Sequence, residues 1–145
     1  MKIRIFWVGR TKERYLQEGI DRYLKLLGPL SRVSIAEIKE EKGKAREKAL
    51  QEEGRRILKQ AQAYVLLDER GRELSSEELA GFLRERGSLD FVIGGPYGVS
   101  DEVRTHAGDT ISLSRMTFTH EMVRVLFLEQ LYRAMTIIKG KEYHH

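Results

Sequence analysis

The 145-residue sequence contains no cysteine and only two prolines. The absence of cysteine excludes a disulfide framework and a thiolate metal site. No long apolar run occurs and a predicted strand begins at the second residue, so we expect no signal peptide and no membrane span, and infer a cytoplasmic protein. The spacing of the four histidines is not that of metal ligands, and we therefore expect no bound metal; they are His106, His120, His144 and His145.

The common phosphate-binding motifs, GxxxxGK followed by Ser or Thr and GxGxxG, are also missing. This disfavours a flavodoxin-like enzyme that holds a nucleotide by its phosphates. Three glycines do occur together, in the segment IGGPYG, but Pro96 removes one N–H donor there. The residues leave three interpretations of this loop open: a phosphate cradle, a plain tight turn, or a slot for a flat uncharged group such as adenine.

Positive charge is concentrated in the first half of the chain. Residues 1–63 contain 16 lysines and arginines against 9 aspartates and glutamates, whereas residues 64–145 contain 10 against 13, and the net charge is +4. A solvated basic surface accounts for such an excess, and so does a polyanionic partner such as RNA, whose phosphates require cations on one face.

Predicted strands and helices alternate along the whole chain. Apolar residues make up 41% and charged residues 33%, a balance typical of a single domain with its own core. Strand–helix alternation predicts an α/β fold with a largely parallel sheet, in one domain of residues 1–145. The predicted strands are 2–9, 31–38, 64–67, 90–93 and 110–113, and the predicted helices are 12–27 (capped by Thr11), 45–61, 75–87, 100–106 and 120–138.

Ligands of parallel sheets bind at the carboxyl ends of the strands, and three such ends are of interest here. They are Leu67-Asp68, Gly94-Gly95 and the loop 113–119. The loop sequence LSRMTF combines two hydroxyls, a cation and apolar side chains. This mixture suits an adenosine and a carboxylate better than a triphosphate, although an ordinary connecting loop is the alternative.

The last predicted helix, residues 120–138, is apolar around most of its circumference, unlike a surface helix with one apolar stripe. We expect such a helix to have two apolar partners, its own sheet and a second surface. Its polar residues Glu129, Arg133 and Thr136 share one face, and Glu129 precedes Arg133 by four residues, the favourable order for an ion pair.

Four segments resemble one family: KIRIFWVGRTKERYLQEGIDRYLKLLGP, IGGPYG, LSRMTFTHEMVRVLFLEQLYRA and the ending YHH. They are similar to the SPOUT-class ribosomal RNA large-subunit methyltransferases of the RlmH type, over essentially the whole chain. The resemblance implies a SPOUT-type sheet flanked by helices, with the C-terminal segment in a deep trefoil knot. It also implies a homodimer that uses S-adenosylmethionine to methylate N3 of a pseudouridine in 23S rRNA of the large subunit or whole ribosome.

The resemblance also assigns roles to individual residues. Glu129, Arg133, Tyr143 and His144 match the polar positions near the reacting centre. Three positions depart from the family pattern: Tyr97, Thr119 and His145, which replace a small or acidic residue, a proline and a cation. The residues implied to bind the cofactor are Leu67, Gly94, Leu113, Ser114, Arg115, Met116, Thr117 and Phe118.

A second class of function fits the same charge and size. A non-catalytic RNA-binding or ribosome-associated module would also present a basic surface and an aromatic tail. Binding of S-adenosylmethionine discriminates the two hypotheses, because only the methyltransferase requires it.

Overall fold

The computed structural model describes residues 1–140 and contains one parallel sheet with strand order β2-β1-β4-β3-β5. The strands are β1 (Lys2–Val8), β2 (Arg32–Ile38), β3 (Val65–Glu73), β4 (Ser88–Ile93) and β5 (Asp109–Ser112). The helices are α1 (Arg14–Leu27), α2 (Arg46–Gln60), α3 (Ser76–Arg84), α4 (Asp101–His106) and α5 (His120–Ile138).

Both faces of the sheet are covered by helices. Strand β1 shows why, since Ile3, Ile5 and Trp7 point into one core while Phe6 and Val8 point into the other. Helices α1, α3 and α5 cover the first face, and α2 and α4 cover the second. The predicted α/β class with a parallel sheet is confirmed, and the doubly apolar strands follow from burial on both sides.

Strand β3 is longer than predicted. The prediction that it ends at Leu67 and is followed by a turn is wrong, because Arg72 and Glu73 pair with β5 after a shift in register. Gly71 permits this close approach: a Cβ atom there would lie 2.7 Å from backbone atoms of Thr110 and Ile111. The edge of the sheet beside β5 therefore depends on a residue without a side chain.

The start of α1 also differs from prediction. Thr11 does not cap the helix; the N-cap position is Glu13, whose side chain makes no capping hydrogen bond. Instead, Oε1 of Glu121 accepts hydrogen bonds from the backbone N–H groups of Lys12 and Glu13, at 2.8 and 3.1 Å. A carboxylate from α5 thus satisfies donors that a local side chain was expected to satisfy.

The apolar circumference of α5 is covered largely within the chain. The helix packs on the sheet and between α1 and α3, and Phe127, Leu128 and Leu131 are fully buried. The second surface expected for this helix therefore includes two neighbouring helices of the same chain. The trefoil knot stays a prediction. Helix α5 follows the edge strand β5 and returns to a place between α1 and α3, a path that is compatible with such a knot.

Candidate active site

A cavity of about 510 Å³ lies where the middle of β3, just after its pairing with β4 ends at Leu67, and the carboxyl end of β4 meet the loop after β5. The parallel topology brings these three segments to one edge of the β3–β4 pairing, as the sequence predicts. The lining residues include Leu67, Asp68, Ile93, Gly94, Tyr97, Arg104, Leu113, Ser114, Met116, Thr117, Phe118, His120 and Val123.

The glycine loop forms one wall of the cavity and is also a tight turn. The Gly98 N–H donates to the Gly95 carbonyl at 3.0 Å, and Gly98 has a φ of +80°. A Cβ atom on Gly94 would lie 2.6 Å from the Gly98 carbonyl oxygen. The tight turn and the slot for a flat uncharged group are therefore compatible interpretations, because the turn places an open backbone surface against the cavity.

The loop 113–119 is held in shape by its own hydroxyl groups. Ser112 Oγ donates to the Ser114 carbonyl at 2.7 Å, and Ser114 Oγ accepts from the Met116 N–H at 2.9 Å. Thr117 donates to Glu69, which ties the loop to the segment after Leu67. The two local hydrogen bonds and the one to Glu69 favour one loop conformation and place its apolar side chains at the cavity.

Seven of the eight residues implied to bind the cofactor line this cavity, and Arg115 does not. The Arg115 side chain is largely exposed and forms an ion pair with Glu73, Nε to Oε1, at 3.2 Å. The structure thus brings together Leu67, Gly94, Leu113, Ser114, Met116, Thr117 and Phe118, from three separate segments of the chain.

A pair of opposite charges stands at the wall beside Leu67. Asp68 forms an ion pair with Arg104, and its Oδ1 accepts the Arg70 N–H at 2.9 Å. Burial raises the pKa of Asp68, but the hydrogen bonds from Arg70 and Arg104 outweigh this and the pKa lies below its ordinary value. Sequence reasoning noted Asp68 only as a strand end and missed Arg104, which carries no motif.

The base of α5 contributes a second polar cluster. His120 lines the cavity, and burial, followed by the nearby Arg124, lowers the pKa of its imidazole. The ring is therefore neutral at physiological pH and can both donate and accept a hydrogen bond. Its position at the helix start was predicted, but its place in the cavity wall was not.

Arg124 is fully buried and anchors α5 to the end of β1. Its guanidinium donates to the Val8 carbonyl at 2.7 Å and to Thr11 Oγ1 at 2.8 Å, and it lies 4.8 Å from the Trp7 ring centre. Burial lowers its pKa to about 10, so the group remains charged near neutral pH. The sequence showed Arg124 only as a polar residue within an apolar helix and did not predict its burial.

The predicted ion pair on α5 forms, but at a distance from the cavity. Arg133 Nη2 and Glu129 Oε1 are 3.2 Å apart, and both side chains are partly buried. Glu129 and Arg133 follow His120 by nine and thirteen residues, which places them about 14 and 20 Å further along the helix axis. Thr136, expected on the same face, is buried and donates to the Arg133 carbonyl.

Two of the predicted catalytic residues cannot be located in the same way. Tyr143 and His144 lie outside the described residues, as does His145. Among residues 1–140, no group of three or more histidine, aspartate or glutamate side chains could hold a metal ion. No helix in this part of the chain is both long and apolar enough to cross a membrane.

Comparison with known proteins places the chain among methyltransferases. The family model described as "Predicted SPOUT methyltransferase" matches residues 1–144. The "Ribosomal RNA large subunit methyltransferase H" of Geotalea daltonii is 51% identical over 153 residues, with 100% of both chains covered. The protein of that name from Thermodesulfovibrio yellowstonii is 46% identical, with 99% of both chains covered.

Solved structures agree at the level of the fold. The tRNA (m1G37) methyltransferase of Aquifex aeolicus superposes with a TM-score of 0.57 at 15% identity, over 92% of this chain and 70% of that chain. A Legionella pneumophila structure, described as a methyltransferase in complex with the bound cofactor SAM, gives 0.56 at 12% identity, over 95% and 66%. At such identities the likeness concerns the fold alone.

Proposed function

Because the chain belongs to the SPOUT methyltransferases, and within them to the ribosomal RNA large subunit methyltransferase H family, we propose that it methylates 23S ribosomal RNA with S-adenosylmethionine as methyl donor. The observation that carries the proposal is the meeting of seven family-matched residues around one cavity, in a chain 51% identical to a full-length relative of that name. The target atom, following the family resemblance, is N3 of a pseudouridine.

The cavity suits S-adenosylmethionine in size and chemistry. Its volume of about 510 Å³ falls within the usual range for small-molecule sites. The open backbone at Gly94 suits a flat adenine, and the hydroxyls of Ser114 and Thr117 suit its polar edges and the ribose. The charged pair of Asp68 and Arg104 suits a ligand that carries an ammonium and a carboxylate. Arg115 would take part only through its backbone, because its side chain pairs with Glu73.

When bound, S-adenosylmethionine supplies an electrophilic methyl group. The protein must then hold the target base in line with that group and accept the N3 proton, which is acidic like that of an imide. We propose that His144 accepts this proton and that Tyr143 stacks on the target base. Arg133 then stabilises the developing uracil anion. Glu129 holds the Arg133 guanidinium through their 3.2 Å contact.

A homodimer reconciles the separation of these groups from the cavity. The outward strip of α5, defined as Met122, Leu126, Glu129, Arg133 and Ile137, is only partly buried within the chain. Glu129 and Arg133 lie too far along the helix to reach a base in their own cavity. We propose that this strip packs against a second copy of the chain, so that each Arg133 serves the cavity of the partner.

The RNA surface is assigned to the basic first half of the chain, and the substrate is the large subunit or the whole ribosome. Work on ribosomes implies a cytoplasmic location. Two measurements test the function: calorimetry of S-adenosylmethionine binding to the purified protein, and mass spectrometry of 23S rRNA fragments from cells with and without the gene. RNA binding without cofactor binding, and an unchanged 23S rRNA mass, would favour the non-catalytic module.

A further inference from the structure

Exposed large apolar side chains are concentrated at one place in the molecule. Among residues 1–140 there are four: Tyr15, Tyr97, Met116 and Phe118. The last three line the 510 Å³ cavity, and Tyr97, at 61% exposure, lies on the glycine loop after β4. An aromatic ring left this open beside a cavity points to a surface that binds a flat group.

Tyr97 is paired with a cation. The Arg46 guanidinium, at the start of α2, lies over the Tyr97 ring with its central carbon 3.7 Å from the ring centre. Arg46 is exposed and forms no ion pair with a carboxylate of residues 1–140. Because the guanidinium covers one face of the ring, the large exposed area of Tyr97 lies on its other face and its edge.

Three carboxylates near this pair, Glu41, Glu52 and Glu53, are held by other groups of the chain. Glu41 pairs with Arg56 and Lys44, and Lys44 also pairs with Glu52. Glu53 is buried, and burial raises its pKa. The loop between β2 and α2 is thus held by internal ion pairs, which leaves Arg46 available to an external partner.

Further cations continue from this pair along the same edge of the sheet. A 280 Å³ cavity lined by Tyr97, Arg46 and Glu40 adjoins a 430 Å³ cavity that also contains Glu40. Four cations line the second cavity against two carboxylates, Glu37 and Glu40. The cations are Arg10, Lys12, Lys39 and Lys42.

We propose that Tyr97 and Arg46 form a stacking platform for an unpaired nucleobase next to the target nucleotide, an inference that rests on the proposed function. The phosphates of the same RNA strand then follow the cations of the neighbouring cavity. Single-stranded RNA is bound in this way, with bases stacked on aromatic rings and arginine planes beside a positively charged groove. The platform places a flanking base at the rim of the cavity and so aligns the target with it.

The test measures RNA affinity and turnover separately. Fluorescence anisotropy with labelled single-stranded RNA of about 12 nucleotides gives affinity, and methylation of ribosomal particles gives kcat and KM. Tyr97→Ala should weaken RNA binding about fivefold or more and raise KM for particles, whereas Tyr97→Phe should bind like wild type. Tyr15→Ala is the matched control, since Tyr15 is 62% exposed but lies on α1 and lines none of these three cavities.

Arginine variants separate stacking from charge. Arg46→Lys keeps the charge but loses the planar group, so it should weaken binding nearly as much as Arg46→Ala if stacking dominates. Arg84→Ala, on the last turn of α3 at the opposite edge of the sheet, should have no effect. If Arg46→Lys binds RNA with the wild-type affinity, the pair is reduced to a charge contact and the platform is overturned.

Four further outcomes also decide the matter. Equal RNA affinities of wild type and Tyr97→Ala overturn the platform while leaving the methyltransferase function intact. Weaker binding of particles with unchanged binding of free RNA would indicate a ribosomal protein contact instead, which also overturns it. Calorimetry with S-adenosylmethionine gives the last two outcomes. A loss of cofactor affinity in Tyr97→Ala that equals its loss of RNA affinity would assign Tyr97 to the cofactor site and overturn the platform. No binding of S-adenosylmethionine by the wild-type protein would reject the proposed function.

Discussion

At the scale of single residues, the site depends on positions where one atom more would collide with backbone. Gly94 is the sharpest case, because its missing Cβ would lie 2.6 Å from the Gly98 carbonyl oxygen, which is part of the turn itself. Backbone cannot move aside as the end of a flexible side chain can. The loop would have to shift into the cavity or away from it.

Gly94→Ala should therefore lower the affinity for S-adenosylmethionine at least about tenfold, with a smaller effect on thermal stability. Isothermal calorimetry measures the affinity. Gly81→Ala is the control, since a methyl group on Gly81, in α3, would meet no atom within 4 Å, and this variant should bind the cofactor like wild type. Unchanged affinity in Gly94→Ala would remove the glycine loop from the cofactor site.

A second residue-scale prediction concerns the cap that Glu121 provides for α1. Burial raises the pKa of Glu121, but the N–H donors of Glu13 and Lys12, together with Arg124, outweigh it, and the pKa lies below the ordinary 4.5. A carboxylate with a depressed folded-state pKa contributes stability that is complete above pH 4.5 and is lost as the pH falls through the folded-state pKa.

Glu121→Gln keeps the acceptor oxygen but removes the charge. It should lower the free energy of unfolding by about 1 kcal/mol at pH 7, because hydrogen bonds to a charged acceptor are the stronger kind. Urea unfolding at a series of pH values should show this difference shrinking as the pH falls below 4.5. A difference that is constant with pH would mean that the charge of Glu121 contributes nothing.

At the scale of elements, α5 is core on one side and is proposed to form the dimer interface on the other. Its inner side, with Leu128 and Leu131, is core, so a glutamate at either position would bury an unpaired charge and unfold the protein. The outward strip of α5 carries the ion pair and the apolar residues Met122 and Leu126, neither of which packs against either core cluster. Only the outward strip can report on dimerisation.

Leu126→Glu should convert a dimer into a monomer and change the melting temperature far less than Leu128→Glu does. Analytical ultracentrifugation at micromolar concentration measures the oligomeric state. The monomeric variant should bind S-adenosylmethionine but lose methylation, because Arg133 no longer reaches the partner cavity. A wild-type protein that sediments as a stable monomer would refute the dimer.

At the scale of the whole molecule, binding and chemistry are assigned to different parts of the chain. The proposed cofactor residues come from three segments around one cavity, whereas the proposed proton acceptor, His144, lies in the sequence after α5. The RNA surface is proposed to lie on the basic residues of the first half. Removing one part should therefore leave the others functional.

Deletion of residues 143–145 should hardly change the melting temperature, since every core residue of the described part, residues 1–140, is kept, and should reduce cofactor affinity little. Methylation of ribosomal particles should be abolished. His144→Ala should lose most of the rate, and His145→Lys should keep or improve RNA affinity through its fixed charge. A truncated protein that methylates at the wild-type rate would transfer the chemistry to Glu129 and Arg133.

Local patterns in the sequence were enough for the fold class and the edge of the sheet that carries the site. The doubly apolar strand β1 and the regular alternation with helices require a parallel sheet covered on both faces. In such a sheet the carboxyl ends of the strands meet, which is why Leu67, Gly94 and Leu113 could be placed together, even though β3 continues beyond Leu67. These features depend on neighbours in the chain and on one general rule of topology.

Long-range contacts determined what no local pattern could indicate. The cap of α1 comes from Glu121, which is 109 positions from Lys12 in the sequence, and Arg124 is buried by β1, 116 positions from Val8. The side chain of Arg115 turns to Glu73 instead of the cavity, and the distance between Glu129 and the cavity follows from the direction of α5. Such contacts exist only after the chain has folded, because tertiary packing brings their partners together.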